Sequence, residues 1–208
     1  VFHNDIVTSV NFDNRPFLSK TESGNEFLSK SIIIATGAQA RWLNLESENK
    51  FKGFGISACA TCDGFFFKDQ SVIVVGGGNS AVEEALYLTG MASKVYLVHR
   101  RDKLRAEKIL QDRLFAHKKI ECIWNSQIEE IVGDQNPNNV TGVKLKSTVD
   151  GSITEKKIDG VFIAIGHKPN TDIFKGQLDM DENGYLIVEP GTSKTKIPGV
   201  FAAGDVAD

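Results

Sequence analysis

The stretch SVIVVGGGNSAVEEALYLTG, residues 71–90, constrains the fold of this chain more than any other. Val72 to Val75 form a continuous apolar, β-branched run that reads as a strand buried on both faces. Three glycines follow, and then a segment of helical period that ends at Gly90, a residue suited to closing a helix. KVYLVHRR supplies a second strand, so strand, turn, helix and strand fill about thirty residues, the size of a βαβ unit. A unit of that kind commits the chain to a parallel sheet covered by helices.

Gly76-Gly77-Gly78-Asn79-Ser80-Ala81 fits G-x-G-x-x-[GA] in the setting that pattern requires, after a strand and at the start of a helix. Glycine there lets the backbone turn tightly and bring a pyrophosphate against the helix N-terminal amides. A sharp structural turn explains a glycine triplet equally well in isolation; the flanking strand and helix favour nucleotide binding. An NAD site places Asp or Glu about 20 residues further on, to hold the ribose hydroxyls. Here that place is taken by His99, followed by Arg100 and Arg101, with Arg105 one helical turn beyond. Guanidinium groups suit a 2′-phosphate, which favours NADPH over NADH; the alternative is a solvated basic turn.

The rest of the chain is consistent with a two-part organisation. The first forty residues read as short strands and turns ending in SIIIATG. A polar loop around LESENK separates them from the cysteine segment. AEKILQDRLFAHK reads as an amphipathic helix with Ile109, Leu110 and Leu114 inward, leading to a strand that holds Cys122 as a small buried side chain. From Ile128 alternating strands take over, with Asp150-Gly151 as a hairpin turn, and GVFIAIG and GVFAAGDV are two more apolar runs. At 208 residues, 41% hydrophobic and 25% charged, the chain can bury real cores. A net charge of -3 gives no general attraction to nucleic acid, and no apolar run approaches the roughly 20 residues that cross a bilayer. Neither nucleic acid nor membrane is an expected partner, and the cytoplasm is the expected compartment.

SACATCDGFFF, residues 57–67, carries the chemistry. Zinc needs about four ligands, commonly as two spaced pairs, and only Cys59 and Cys62 have that spacing, so no metal is expected. A structural disulfide closing so short a loop adds little stability. Redox exchange is the leading reading, with one thiolate attacking a partner disulfide and the other resolving the mixed disulfide. Asp63 is placed to move the proton each cycle requires, although Asp63-Gly64 also reads as a turn. Phe65, Phe66 and Phe67 cannot all point inward from a loop, which leaves at least one for a docking surface. Electrons passing between nicotinamide and disulfide normally go through a flavin, so a flavin site is expected as well.

CATCDGFF, GGGNSAVEEALYL, HRRDKLRAEKIL, AIGHKPNT and IPGVFAAGDV, in this order, closely resemble bacterial-type, low-molecular-weight thioredoxin reductase, and the likeness runs from about SIIIATGA to the last residue. The resemblance implies an α/β fold, a Rossmann-like NADPH-binding domain inserted into an FAD-binding domain, as in two-dinucleotide-binding-domain flavoproteins. It assigns 1–40 and 168–208 to the FAD domain and 41–167 to the NADPH domain. It places Gly76, Gly77, Gly78, Asn79, Ser80, His99, Arg100, Arg101, Arg105, Ile165 and Gly166 at NADPH, and Ala35, Thr36, Gly37, Gly204 and Asp205 at FAD. Cys62 would face the flavin, Cys59 would attack thioredoxin with Asp63 as acid-base, and Phe65 and Phe66 would dock thioredoxin. It also implies a homodimer and a rotation of one domain against the other about the crossovers near Arg41 and His167.

Two departures stand out. The family's first glycine fingerprint and its C-terminal helix have no counterpart in the sequence, which reads as truncated at both ends and is expected neither to bind FAD tightly nor to turn over on its own. Phe54 stands where relatives often carry a basic residue that helps partner docking. The expected activity is thioredoxin-disulfide reductase. The flavoprotein subunit of alkyl hydroperoxide reductase and an inactive NADPH-binding fragment are the alternatives.

Overall fold

The computed structural model describes residues 1–207; Asp208, the last residue of the expected segment 168–208, lies outside the described residues. In chain order the strands and helices begin with β1 (Val7–Asn11), β2 (Phe17–Thr21), β3 (Glu26–Ser29), β4 (Ile32–Ile34) and β5 (Ala38–Ala40). Helix α1 (Glu46–Phe51), β6 (Ile56–Ser57), α2 (Ala60–Asp63) and a 3-10 helix (Gly64–Phe67) follow. Next come β7 (Ser71–Gly76), α3 (Asn79–Leu88), β8 (Lys94–Val98), α4 (Lys108–Phe115) and β9 (Ile120–Ile123). The chain continues through β10 (Ser126–Gln135), β11 (Asn138–Ser147), β12 (Ile153–Lys157), β13 (Gly160–Ala164), β14 (His167–Pro169) and β15 (Val200–Ala202). These elements fall into two compact units, Ala40–Gly166 and a second made of Val1–Gln39 with the segment from His167 onward. The boundaries lie one residue before those read from the sequence.

Within Ala40–Gly166 the central sheet has the order β6-β13-β7-β8-β9 and is parallel throughout. Strand alternation divides its side chains between two cores. Val72, Val74, Val95 and Leu97 pack with Ala81, Val82, Ala85 and Leu88 of α3 and Leu114 of α4. Ile73 and Val75 pack instead with Ile128, Ile131, Val143 and Leu145 of the antiparallel β10-β11-β12 sheet. The result is three layers, helices on sheet on sheet, and β7 is buried on both faces as its continuous apolar run requires. Gly151 lies in the turn between β11 and β12 at φ 74°, a left-handed conformation that glycine adopts without strain.

Three local expectations are corrected. Ile109 does not face inward: it is 67% exposed, while Leu110 and Leu114 pack on the core. At about 100° per residue Ile109 lies well off the stripe centred between Leu110 and Leu114, and that narrow stripe is the part the sheet covers. LESENK is not a plain polar loop, because Glu46–Phe51 forms α1 and Glu48 is fully buried. The two Glu48 carboxylate oxygens accept the N–H groups of Leu43 and Asn44, both at 2.9 Å, which removes the usual penalty for burying the group. The three phenylalanines occupy a 3-10 helix instead of a loop, with Phe67 inward and Phe65 and Phe66 each 74% exposed.

The second unit contains the antiparallel sheet β1-β2-β3 and the parallel pair β4 and β15. Its core gathers Phe12, Phe17, Ile34, Phe174, Leu186 and Val200, with Phe12 meeting Phe17 edge-on and stacking on Phe174. The Gln177 amide accepts the Phe12 N–H and donates to the Val10 carbonyl, joining β1 to the C-terminal segment. Among the described residues no helix is long and apolar enough to cross a membrane.

Phe67 stacks edge-to-face on Phe162, 5.2 Å between centroids, and the pair fits only because Gly160 has no side chain. A Cβ at Gly160 would overlap the Phe67 ring. Gly160→Ala is expected to lower stability by about 1–3 kcal/mol through forced repacking, measured as a shift in the urea unfolding midpoint.

Candidate functional site

Strand β7 has β8 on one side, reached through α3, and β13 on the other, reached only after β12, so the strand order switches beside β7. The carboxyl ends of the strands at such a switch point open a crevice. A cavity of about 430 Å³ lies there. Val75 to Gly78 come from the end of β7, Val98 to Arg100 from the end of β8, and Ala164 to Gly166 from the end of β13.

Each fingerprint glycine has its own reason. A Cβ at Gly76 would overlap the Ala164 carbonyl and come within 2.6 Å of the Ala81 methyl, so this glycine permits close strand and helix packing. A Cβ at Gly77 would overlap the His99 imidazole. Gly78 faces open space, and as the N-cap of α3 it supplies no side chain to its first amides. Those N–H groups and the partial positive charge of the helix end fit an anionic pyrophosphate. The Gly77 carbonyl accepts the N–H groups of Arg105 and Ala106 at 2.7 and 3.2 Å, and the Asn79 side chain accepts the Glu107 N–H at 2.8 Å. The turn is thereby tied to the segment that carries Arg105.

Of the expected nucleotide residues, Gly76, Gly77, Gly78, Ser80, His99, Arg100, Arg105, Ile165 and Gly166 all line the cavity. Asn79 does not, since its side chain is spent on Glu107, and neither does Arg101, which is exposed. His99 stands apart from the arginines in being only 7% exposed, with Nε2 lacking any partner. Burial holds its pKa below the usual value; the Gly76 carbonyl acts against that shift, and the positive charges of Arg101, Arg105 and Arg100 add to it. Arg41, Leu43 and Ser126 to Ile128 also line the cavity and were not read from the sequence. They arrive from the start of this unit and from β10, with no local motif to mark them.

Cys59 and Cys62 are joined in a disulfide. Cys59 is the N-cap of α2, and its sulfur accepts the Cys62 N–H at 3.2 Å. Ser57 Oγ accepts the Cys59 N–H at 3.0 Å, and Thr61 Oγ1 lies 3.4 Å from the Cys59 sulfur. An amide aimed at the Cys59 sulfur favours thiolate there once the bond is reduced. Cys62 is exposed, Cys59 and Asp63 are half-buried, and Asp63 closes α2 directly before the exposed Phe65 and Phe66. Phe54 is 54% exposed. Cys122 is set apart on β9, with its thiol pushed up to about 11 by burial and by Glu121, which suits packing and not exchange.

In the second unit β4 and β15 run parallel, and the Ala203 N–H donates to the Ile34 carbonyl. Ala35, Thr36 and Gly37 therefore leave one strand beside Gly204 and Asp205 leaving the other. Gly37 and Gly204 both hold positive φ, 67° and 74°, with open space where a Cβ would be. Gly204 and Asp205 line a cavity of about 460 Å³, whereas Thr36 and Gly37 are hydrogen-bonded to Asn170.

A parallel sheet with a glycine-lined crevice, and a disulfide in the same unit, define a nucleotide-dependent disulfide oxidoreductase fold. The model of the pyridine nucleotide-disulphide oxidoreductase family matches residues 1–208, and the chain belongs to that family. The thioredoxin reductase of Rickettsia felis is 59% identical over 204 residues, 98% of this chain and 66% of its own length. That of Escherichia coli O157:H7 is 52% identical over 212 residues, 98% of this chain and 65% of its own. The crystal structure of thioredoxin reductase from Streptococcus pyogenes MGAS5005 superposes with a TM-score of 0.84 at 44% identity, over 98% of this chain and 65% of that one. This chain thus spans just under two thirds of the curated relatives it matches. The shared architecture is that of the two-dinucleotide-binding-domain flavoproteins.

Helix α3 also carries Glu84, whose Oε2 is buried without a partner and whose pKa burial raises from 4.5 to about 7. The folded state holds this proton more tightly than the unfolded chain. Stability therefore falls as pH rises from about 4.5 to about 7 and is flat above. Glu84→Gln is expected to remove that decline, raising the melting temperature above pH 7 relative to the parent, as read by calorimetry across this range.

Proposed function

We propose that this chain carries the nucleotide-binding and dithiol machinery of a thioredoxin-disulfide reductase, taking electrons from NADPH and delivering them through Cys59 and Cys62 to thioredoxin. The observation that carries the reading is the Cys59–Cys62 disulfide, held in the same unit as a cavity lined by the glycine turn and three arginines. Gly78 and the α3 amides take the pyrophosphate, and Arg100 and Arg105 take the 2′-phosphate that distinguishes NADPH. In the second unit the open, positive-φ Gly37 and Gly204 leave backbone room for a flavin nucleotide, with Asp205 at its ribityl and phosphate region. Bound FAD would supply the two-electron relay between nicotinamide and disulfide.

The chain's own residues do the rest. Reduction of the disulfide takes two electrons and two protons and leaves two thiols. Cys59, whose sulfur receives the Cys62 amide, ionises and attacks one sulfur of oxidised thioredoxin, forming a mixed disulfide as the thioredoxin bond breaks. Asp63, next to Cys62, hands a proton to the leaving thiolate. Cys62 then attacks Cys59, restores the intramolecular disulfide and releases thioredoxin with both thiols reduced. Exposed Phe65 and Phe66, packed edge-on at 6.3 Å beside the pair, give the partner an apolar surface.

Two measurements test this reading. Cys62→Ser, reduced and mixed with oxidised thioredoxin, is expected to accumulate a mixed disulfide through Cys59 by intact mass, and Cys59→Ser is expected to give little. The opposite pattern reverses the roles, and no adduct from either rejects thioredoxin as partner. Arg100→Ala is expected to weaken NADPH binding about tenfold or more, by nucleotide fluorescence titration, and to leave NADH binding nearly unchanged. An equal loss for both nucleotides would remove the 2′-phosphate role.

A further inference from the structure

His99 is more than nine-tenths buried, lines the nucleotide cavity, and has its ring packed against Gly77 so closely that no side chain fits between them. Nε2 is buried and has no hydrogen-bond partner, so the ring borders the turn at which a pyrophosphate would dock without being held in one charge state by a carboxylate.

The electrostatics point the same way. The charged groups acting on His99 are Arg101, Arg105 and Arg100, and Arg41 lines the same cavity. The glycine turn on the ring's face contributes no titratable group. On their other side the His99 backbone N–H and carbonyl pair with Ile123 and Ser126, neither of which titrates. Without ligand the ring therefore sits among cations in a desolvated place and stays neutral. A pyrophosphate at Gly77, Gly78 and the α3 amides brings negative charge to the turn on which the ring is packed, and so reverses the sign of the local field.

Resting on the dinucleotide reading of this cavity, we infer that His99 takes up a proton from solvent when the nucleotide pyrophosphate binds, so that nucleotide affinity is linked to pH through this one buried imidazole. No bond to carbon or phosphorus changes. Binding strengthens as pH falls through the interval between the free and bound ring pKa values and is independent of pH outside it.

Calorimetric titration of NADPH into the protein, in buffers of small and large protonation enthalpy, reads the proton count directly. The expected uptake is a bell lying between the free ring pKa, which is below the usual imidazole value, and the higher pKa of the bound form, rising toward about one proton per bound nucleotide. The 2′-phosphate of NADPH loses its own proton against arginine, which is release and of opposite sign. Repeating the titration with NADH, which keeps the pyrophosphate and lacks that group, removes this contribution. His99→Asn is expected to abolish the bell while binding persists more weakly, and His99→Gln provides a second substitution should the first fail to fold. Binding of NADH with no buffer-dependent heat by the parent protein overturns the inference and leaves the dinucleotide reading intact, as does a bell that survives in the variants. Failure of either nucleotide to bind overturns both together.

Discussion

The contact on which the nucleotide side of this molecule depends is the one between Gly77 and His99. The end of β7 must turn sharply, present its amides to a ligand and still be fixed in place. Packing an imidazole flat on the turn from one side, and directing the Arg105 and Ala106 amides to its carbonyl from the other, does all three. Flexible glycine is thereby made rigid by its neighbours, so little conformational entropy is left to be lost on binding. The same contact ties the ends of β7 and β8 together, and the cavity between them keeps its shape.

Among the described residues two buried side-chain atoms lack hydrogen-bond partners, and both lie close to the turn or the helix after it. His99 Nε2 lies near its start, and Glu84 Oε2 lies in its second turn. Buried polar atoms without partners cost stability, and folded chains contain few of them. The two here differ in what can relieve them. His99 borders the nucleotide cavity, so the charge of a bound anion would act on its ring. Glu84 is relieved by its own proton, because burial alone raises its pKa and no cation is placed beside it to stabilise the charge. One of these groups therefore responds to ligand and the other only to pH.

Much of this architecture was legible in the sequence, and for a physical reason. A strand buried on both faces must be continuously apolar, and the glycine turn after it admits few structures, so residues 71–98 declare their fold locally. What the sequence hid depends on contacts distant along the chain. Ile109 looks like a core residue by type, yet the sheet covers only the narrow stripe of α4 that holds Leu110 and Leu114. Glu48 looks like a solvated loop residue, and its burial becomes intelligible only when the Leu43 and Asn44 amides are seen to converge on it. His99 looks like one more member of the basic run that follows it, yet its ring is buried against Gly77. Arg41 and the first residues of β10 complete the cavity from positions without any motif, and only the folded chain brings them there.

The cysteine pair shows a parallel economy of local structure. A bond closing two intervening residues restricts the unfolded chain very little, so its presence is poorly explained by stability. What the short helix α2 supplies is asymmetry. The Cys59 sulfur receives an amide hydrogen, while Cys62 contributes that amide and is the more exposed residue of the two. In the function proposed above, that asymmetry is what lets Cys59 act as the attacking thiol and Cys62 as the resolving one. The pair, the aspartate beside it and the two exposed phenylalanines occupy one continuous segment, Cys59 to Phe66, so the geometry needed for dithiol chemistry is set within a few turns of backbone.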